Sequence, residues 1–392
     1  MTTLDTPPDD RHRMLDALRV SAPVFRDEKS ATFVLTRYAD ARALLSDSTL
    51  WKDADRAESR ALVRTFKPAD MNRPGDRDSG IGWMDDPEHA RVRPPIALAL
   101  GRRVAGLRPF IEGVVRGRLD ALGPRFDVVA DFALPIPIAV IGLLLGVDTA
   151  DMPRFRAWSE ASIGVFAPDP SAAERAATKE AANAITDYLD AAMTLRRREK
   201  RDDLISDLLA VQAAGGALSD SEIRVNCMNL LLGGNVTTAD LIASAIFLLT
   251  SHPDERAKLI ADPALIAGAI EEVLRYEPPT DGSQRVASRD MQIRGCPIRQ
   301  SQVVAVMTHA ANRDPAVFPD PHRFDISRRD GPHISFGGGA HICIGAALAR
   351  LEAQVAVAGM IARFPNLRLA DPAPRWRAMP FFRGLETLVV ES

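Results

Sequence analysis

Residues 336–345 read Phe-Gly-Gly-Gly-Ala-His-Ile-Cys-Ile-Gly and directly precede an apolar stretch of helical periodicity. The three glycines at 337–339 allow the backbone to turn tightly and to approach something flat and bulky. Cys343 stands at the predicted start of the next helix, where free amides and the helix dipole favour a thiolate. A thiolate surrounded by amide donors is a good axial ligand for haem iron. A buried structural cysteine is the simpler interpretation, but the whole ten-residue pattern argues against it.

This stretch resembles the haem-binding signature of the cytochrome P450 superfamily, in its soluble bacterial type. The resemblance implies that haem b is the cofactor and that Cys343 is its metal ligand. It also places Phe336 near the sulfur side of the haem and Gly337 in the loop that holds it. A zinc site built on His341 and Cys343 is the rival interpretation. The spacing His-x-Cys without a second nearby pair is poor for a tetrahedral zinc site.

Basic residues that match the family's contacts to the haem propionates occur at four places. His89 and Arg93 stand at i and i+4, so they share a helical face and can reach one anion. Taken alone, that pair is typical of a solvated basic face. The resemblance implies that both contact the propionates, together with Arg285 and His341. Four basic side chains are a reasonable number to bind two carboxylates.

An E-x-x-R motif, Glu272 to Arg275, brings two opposite charges onto one helical face. Alone it predicts only a surface ion pair worth under about 1 kcal/mol. The resemblance implies a buried ion pair with Arg328 as its third partner. Such a network would fix the geometry of the cysteine loop more than it would add net stability.

A helix of unusual length is predicted between about residues 219 and 250. Ser219 and Glu222 form a capping box at its start, and Pro253 closes it. The mean helix has about 11–12 residues, so this helix is unusually long. A helix this long and this apolar is expected to cross the middle of the protein.

Within that helix the sequence reads Leu-Gly-Gly-Asn-Val-Thr-Thr at 232–238. Two glycines inside a helix cost about 1 kcal/mol each relative to alanine, and a threonine one turn later can bond back to a carbonyl and bend the helix. Close helix packing at small residues is the alternative. The resemblance implies that Thr237 is the threonine on the oxygen side of the haem, where it helps to deliver protons, and that Gly234 and Asn235 belong to this catalytic turn.

The residue before that threonine departs from the family's pattern. The family normally has aspartate or glutamate there, and this chain has Val236, which cannot relay a proton. We therefore expect protons to arrive through Thr237 and water, with help from Asp240 or from a group of the substrate.

The composition excludes several classes of protein. Among 392 residues, 46% are hydrophobic and 26% are charged, and the net charge is −3, which is ordinary for a soluble globular protein without a global attraction to nucleic acid or membranes. Three scattered cysteines make no disulfide framework, and the N-terminus lacks the apolar segment of a signal peptide. The longest apolar run, Val128 to Val147, contains Asp131 and two prolines, so it predicts a strand-like lead-in and a buried helix rather than a membrane span. A cytoplasmic location is expected.

The predicted architecture is mainly α with a small β part: a single cytochrome P450 domain over residues 1–392, with the long helix over the haem and the cysteine loop on its opposite side. Residues 23–27 and 32–36 predict a β-hairpin. Further strands are predicted at 292–293, 302–306 and 387–390. The other predicted helices cover 87–103, 106–121, 137–146, 171–198, 264–276 and 345–363.

The resemblance implies a monooxygenase that inserts one atom of dioxygen into a hydrophobic or aromatic small molecule. Electrons would come from a ferredoxin or flavodoxin with its NAD(P)H-dependent reductase, and the protein would be a monomer. A peroxygenase or a non-oxygenating haem-thiolate enzyme is the alternative that Val236 favours, and a non-catalytic haem sensor is another. By position in the family, the substrate pocket would be lined by Ile81, Trp83, Met84, Phe166, Leu230, Gly233, Ser283, Phe381 and Phe382.

Overall fold

Helices dominate the computed structural model, which describes residues 8–59, 80–162, 170–216, 218–377 and 382–392. Phe166 and Phe381, both predicted to line the pocket, lie outside these ranges. In the described residues we number the α-helices α1 (Pro8–Ser21), α2 (Tyr38–Ser46), α3 (Glu88–Val104), α4 (Arg108–Asp120), α5 (Pro135–Leu145), α6 (Met152–Ser162), α7 (Ala172–Arg198), α8 (Leu204–Ala213), α9 (Asp220–Ser251), α10 (Pro253–Ala261), α11 (Ile266–Tyr276), α12 (Thr308–Ala311) and α13 (Ala346–Arg363).

The strands are short and form three small sheets. They are β1 (Val24–Asp27), β2 (Thr32–Leu35), β3 (Arg125–Asp127), β4 (Ser283–Val286), β5 (Met291–Ile293), β6 (Cys296–Ile298), β7 (Val303–Val306), β8 (Arg368–Leu369) and β9 (Val389–Glu391). The largest sheet has the order β1-β2-β7-β4. The predicted hairpin is present, with Val24 opposite Leu35, and β2 runs parallel to β7. The other sheets are β3-β9-β8 and β5-β6.

The long helix α9 runs through the core, as its apolar length predicts. The capping box is formed: the amide of Glu222 donates to Ser219 Oγ at 3.0 Å, and the amide of Ser219 donates to Glu222 Oε2 at 2.8 Å. From Thr238 to Leu249 nearly every side chain is buried. Helices α5, α7, α11 and α13 pack around it. Its observed bounds lie within one residue of the predicted ones.

The apolar run after residue 127 is helical from its start, so the predicted strand-like lead-in is wrong there. The strand β3 ends at Asp127, a π-helix covers Val128–Ala133, and α5 follows. The run Val128–Leu145 and α9 are both long and apolar enough to cross a membrane, but 72% and 67% of their apolar windows are buried inside the protein. That burial is typical of core helices.

A long irregular segment precedes α13 and positions the cysteine. Between α12 and α13, residues 312–345 contain one short helical turn, Gly339–His341, and otherwise turns and bends. Residues 339–341 pack against α2, while α11 and α13 pack on each other and on α9. This arrangement carries the glycine-rich stretch and Cys343 to the N-terminal end of α13.

Candidate functional site

The glycine-rich stretch forms a loop whose glycines are required by its geometry. Gly337 and Gly339 adopt φ angles of +74° and +64°, in the left-handed region that side chains disfavour. A Cβ atom on Gly339 would lie 2.5 Å from the carbonyl oxygen of Leu45 at the end of α2. The amide of Cys343 donates to the carbonyl of Phe336 at 2.8 Å and closes the loop. We call residues 336–345 the cysteine loop.

Cys343 is accessible at the end of this loop, in positive surroundings. Desolvation by the nearby protein raises the pKa of its thiol. The backbone amides of Gly345 and Ala346 and the charges of Arg93 and Arg350 act in the opposite direction. A thiolate here would therefore have both amide donors and cations nearby, as a ligand of an electrophilic metal needs.

The other two cysteines lack such surroundings. Cys227 is buried on α9, and burial raises its thiol pKa to about 12. Cys296 lies in the β5-β6 hairpin opposite Ile293. Of the three thiols, Cys343 alone has the loop, the amides and the arginines, so it is the candidate ligand.

The four predicted propionate contacts meet beside the cysteine loop. The rings of His89 and His341 have centroids 4.1 Å apart. Arg93 donates to the carbonyl of Ile342. Arg285 donates to the carbonyls of Leu45 at 3.1 Å and Gly338 at 3.4 Å.

Burial and mutual repulsion keep the two histidines of this cluster in their neutral form. The pKa of His341 is lowered to about 3, first by burial and then by His89, Arg285 and other cations. Burial also lowers the pKa of His89, and it lowers that of Arg285 to about 10. His89 Nε2 and His341 Nδ1 are buried without a hydrogen-bond partner in the described part of the chain. A cluster of basic groups, buried or partly buried and with unused ring nitrogens, fits a ligand that carries carboxylates, as haem does.

Phe336 lies at the start of the cysteine loop between two basic side chains. The guanidinium of Arg350 lies 4.5 Å from the centre of its ring, and the ring of His333 lies 5.9 Å away. Both residues also bind Glu271, with Arg350 Nε donating at 2.6 Å. The aromatic ring thus has a fixed position beside the sulfur-bearing end of the loop.

The middle of α9 opens on one face, although the helix is buried on either side. Asn229 and Gly233 are exposed, and Leu230, Gly234 and Thr237 are partly exposed. A Cβ on Gly233 or Gly234 would meet nothing within 4 Å. Thr237 Oγ1 donates to the carbonyl of Gly233 at 2.6 Å, which is the predicted back-bond within an unbroken helix. This open face leaves room for small molecules beside the Thr237 hydroxyl.

The neighbouring polar side chains of α9 point elsewhere. Asn235 Nδ2 donates to Ser159 on α6 at 2.8 Å, away from the open face, and Val236 is buried. Asp240 forms a close ion pair with Arg377. Burial raises the pKa of Asp240 to about 7, although the contact with Arg377 acts to lower it. Neither Asn235 nor Val236 therefore offers a proton donor to the open face.

The predicted pocket residues outside α9 that the structure describes lie in the segment 80–84, on β4 and at Phe382. The amide of Ile81 donates to Asn226 Oδ1 at 2.9 Å, which brings residues 80–84 against α9. Ile81 and Met84 are buried in the main core, and Trp83 is partly buried. Ser283 accepts from Arg285 at 3.3 Å. Phe382 pairs with Thr280 in an isolated β-bridge.

The E-x-x-R motif and Arg328 form the buried network that the resemblance implies. Arg275 donates to Glu272 through Nε at 2.7 Å and through a terminal nitrogen at 2.8 Å. Arg328 Nε approaches both Glu272 oxygens at 3.3 Å. The amide of Asp325 donates to the same carboxylate at 2.9 Å. The carboxylate thus connects α11 to the irregular segment before the cysteine loop.

Three residues of this site escape sequence reasoning. Lys52 lies among the basic groups, Arg350 lies beside Cys343, and Arg377 binds Asp240. Arg350 lies in the first turns of α13, about two helical turns after Cys343, so its helical spacing from the cysteine is a usable signal. No motif or periodicity marks Lys52 or Arg377.

Comparison with known proteins agrees with this geometry. The family model for cytochrome P450 matches residues 163–374, more than half of the chain. The chain is 38% identical to cytochrome P450 107B1 of Saccharopolyspora erythraea, over 91% of this chain and 88% of that protein. It is 37% identical to the 6-deoxyerythronolide B hydroxylase of the same organism, over 97% and 96%.

Solved structures agree as well. The crystal structure of P450BioI in complex with a hexadec-9Z-enoic acid ligated acyl carrier protein has a TM-score of 0.88, with 33% identity and 98% of each chain covered. The myxobacterial CYP267B1 in complex with myristic acid also has a TM-score of 0.88, with 36% identity and 97% and 96% covered. The chain therefore belongs to the cytochrome P450 family, in its bacterial type, and is a haem-thiolate monooxygenase whose cofactor is haem b.

Proposed function

We propose that Cys343 ligates the haem iron and that the enzyme oxygenates a hydrophobic or aromatic small molecule on the open face of α9. Thiolate-ligated haem, when bound, supplies the activation of dioxygen from which one oxygen atom enters the substrate. The observation that carries the assignment is the convergence at one loop of an accessible cysteine, amide donors and a cluster of basic side chains with unused ring nitrogens.

The chain's own residues have separable roles in this proposal. His89, Arg93, Arg285 and His341 bind the two propionates and orient the cofactor, since charge-assisted hydrogen bonds are strong and directional. The Glu272 network holds the irregular segment from which the cysteine loop extends. Phe336 covers the sulfur side of that loop.

Thr237 provides the hydroxyl group that binds water on the open face of α9. Its hydroxyl proton points to the Gly233 carbonyl at 2.6 Å, so its oxygen lone pairs are free to accept from water. With Val236 in the place of an acid, we propose that water bound by Thr237 supplies the protons.

The substrate class follows from the apolar lining. Ile81, Trp83, Met84, Leu230 and Phe382 provide large apolar groups, and the glycines of α9 provide space. Pockets of this composition bind hydrophobic molecules and orient them with few polar contacts. The relatives crystallised with myristic acid and with an acyl chain on a carrier protein support this class.

The remaining assignments concern the chain as a whole. We propose one domain over residues 1–392, a monomer in the cytoplasm, and electrons from a ferredoxin or flavodoxin with an NAD(P)H-dependent reductase. The largest apolar cluster, which contains both Ile81 and Val390, supports the single domain.

The first experiment is the absorption spectrum of the reduced protein with carbon monoxide. A strongly red-shifted Soret band is expected for thiolate ligation, and Cys343→Ser should abolish it, whereas Cys296→Ser should keep it. A normal Soret position in the parent protein would refute the assignment of Cys343. Titration with fatty acids and aromatic compounds, followed by the spin-state change, then tests the substrate class.

Oxygenase activity is distinguished from the alternatives by its electron source. The relatives include a hydroxylase and an N-oxygenase, so a peroxygenase, a non-oxygenating enzyme and a sensor are not favoured. Turnover that requires NADH or NADPH, a reductase and dioxygen is expected. Turnover of comparable rate with hydrogen peroxide alone would instead indicate a peroxygenase.

A further inference from the structure

Lys52 is a buried cation that the site described above leaves without a role. It follows Trp51, whose backbone pairs with Val286 of β4 through hydrogen bonds of 2.9 and 2.8 Å. Lys52 is 9% exposed, and its ammonium lies 4.9 Å from the ring centre of Trp83. Its backbone is therefore fixed beside the strand that carries Arg285.

Lys52 and Arg285 converge on one oxygen atom. Lys52 Nζ donates to the carbonyl of Gln284 at 3.1 Å, and an Arg285 terminal nitrogen donates to the same carbonyl at 3.0 Å. Two like charges on a single neutral acceptor repel each other at short range. Burial and, next, Arg285 lower the pKa of Lys52 to about 7. The structure therefore brings together two cations that a shared anion would stabilise.

The carboxylate of Asp85 attracts both cations through its charge, but its hydrogen bonds go to other groups. Asp85 accepts from the backbone amides of Lys52 and Asp53 and pairs with Arg56 at 3.3 Å. Lys52 Nζ has three protons to donate, and among the described residues only the Gln284 carbonyl accepts one of them. A carboxylate from outside the chain would accept a second one.

Lys52 also belongs to the basic cluster at the cysteine loop, because Arg285, with which it shares the Gln284 carbonyl, donates to the carbonyl of Gly338 in that loop at 3.4 Å. We propose that Lys52 binds a haem propionate beside Arg285, an assignment that rests on the haem site proposed above. The cluster then comprises five basic groups around two carboxylates. Lys52 acts as a binding and positioning residue for the cofactor, not as a residue of the oxygen chemistry.

The test compares three substitutions in the holoenzyme. Lys52→Met removes the charge at similar length, Lys52→Gln keeps a donor for the Gln284 carbonyl, and Lys52→Arg keeps the charge. The matched control is Lys200→Met, since Lys200 is exposed. The measurement is the rate of haem transfer to excess apomyoglobin without substrate. The second readout is the resonance Raman bending band of the propionates.

We expect the Met and Gln variants to release haem about tenfold faster than the parent and to shift the propionate band. The Arg variant should release haem at a rate near that of the parent, and the Lys200 control should match the parent in both readouts. The proposal is overturned if the Met and Gln variants release haem rapidly but their propionate band does not shift. It is also overturned if the Arg variant releases haem as rapidly as they do. Either result would show that Lys52 only supports the fold. Unchanged release in the Met and Gln variants would overturn it too.

A carboxylate can also come from a substrate, and the experiment separates that source. If Lys52→Met leaves haem release unchanged but weakens the spin-state response to dodecanoic acid more than to dodecanol, Lys52 binds the substrate and the propionate assignment is wrong. The carbon monoxide spectrum of each variant is recorded first. A parent protein without the red-shifted band would refute the haem site itself, which is a different failure from an unresponsive Lys52.

Discussion

Replacing Glu272 by glutamine tests whether a single buried carboxylate organises the cysteine loop from a distance. In the native chain this carboxylate receives hydrogen bonds from Arg275 at 2.7 and 2.8 Å, from the amide of Asp325 at 2.9 Å and from Arg328 at 3.3 Å. The side chains of Glu272, Arg275 and Arg328 are 2%, 3% and 9% exposed. The substitution leaves the volume of the site unchanged and removes the charge.

The expected loss in the free energy of unfolding follows from the polar groups that stay buried after the substitution. Glutamine keeps one oxygen, which can still accept from Asp325 and from one nitrogen of Arg275. Its amide group then faces the Nε–H of Arg275, so two donors oppose each other. Two guanidinium groups also lose their shared anion in a desolvated place. Removal of one partner from a buried ion pair costs about 3–5 kcal/mol, and we expect a loss of that size.

The substitution should also disturb the haem site, because the irregular segment connects the Glu272 network to the cysteine loop. Arg275 also donates to the carbonyls of Asn312 at 3.1 Å and Pro321 at 2.9 Å. Asn312 in turn receives the amide of Ile334 and donates to Ser335, immediately before the cysteine loop. When Arg275 shifts, these contacts shift with it. A smaller fraction of the protein should therefore show the red-shifted carbon monoxide band.

The assay is urea unfolding of the ferric holoenzyme, followed by far-ultraviolet circular dichroism, together with that band. Glu271→Gln is the matched control because it is the same substitution one residue earlier. Against the opposing effect of burial, Arg350 and His333 lower the pKa of Glu271 to about 2, but its side chain is 43% exposed, so solvent screening should make its loss cost less than the loss of Glu272. Equal costs for the two variants, or a normal band in a strongly destabilised Glu272→Gln protein, would refute this reasoning.

Two further predictions concern α9. Thr237→Ala should sharply raise the hydrogen peroxide released per NADH or NADPH consumed, because it removes the hydroxyl that holds water; unchanged coupling would contradict the role of Thr237. Asp240→Asn should leave that ratio unchanged, since Asp240 is held by Arg377. Because burial raises the pKa of Asp240 from 3.8 to about 7, the unfolded chain ionises first, and stability is lost as the pH rises through this interval. The free energy of unfolding of Asp240→Asn relative to the parent should thus increase by about 1.4 kcal/mol per pH unit from about pH 5 to about pH 7; a flat difference in urea titrations would contradict it.

The elements that the sequence predicts well are those with strong local signals. The start of α9 is found because Ser219 and Glu222 satisfy each other's backbone groups without help from the rest of the protein. The helix predicted over 171–198 from its periodicity also begins at a local signal in the structure, a capping box of Ser171 and Glu174. The apolar run after residue 127 is different, since a run without polar spacing does not distinguish a buried strand from a buried helix. In the structure this run is helical and packs against α9.

The residues of the site divide in the same way: local spacing in the sequence marks some of them, and tertiary contacts alone bring the others together. His89 and Arg93 are found because the spacing i, i+4 places them on one face, and Arg275 is found from Glu272 in the same way. Lys52 is brought to Arg285 by the pairing of Trp51 with Val286, residues 235 positions apart in the chain. Arg377 reaches Asp240 across a long distance in sequence as well. Local periodicity carries no information about such pairs.

The replacement of the usual acid by Val236 is therefore best judged from its surroundings. Asp240 is the nearest carboxylate on the same helix, but Arg377 binds it, and a Cβ on Gly384 would collide with it, so it has little room to rotate. Asn235 is bound to Ser159 on the far side of α9. Among the side chains of α9, Thr237 alone presents a hydroxyl to the open face; this hydroxyl donates to the carbonyl of Gly233 and its oxygen can still accept. We therefore propose that the proton route in this enzyme begins in water, and that its efficiency depends on how well the bound substrate keeps that water beside Thr237.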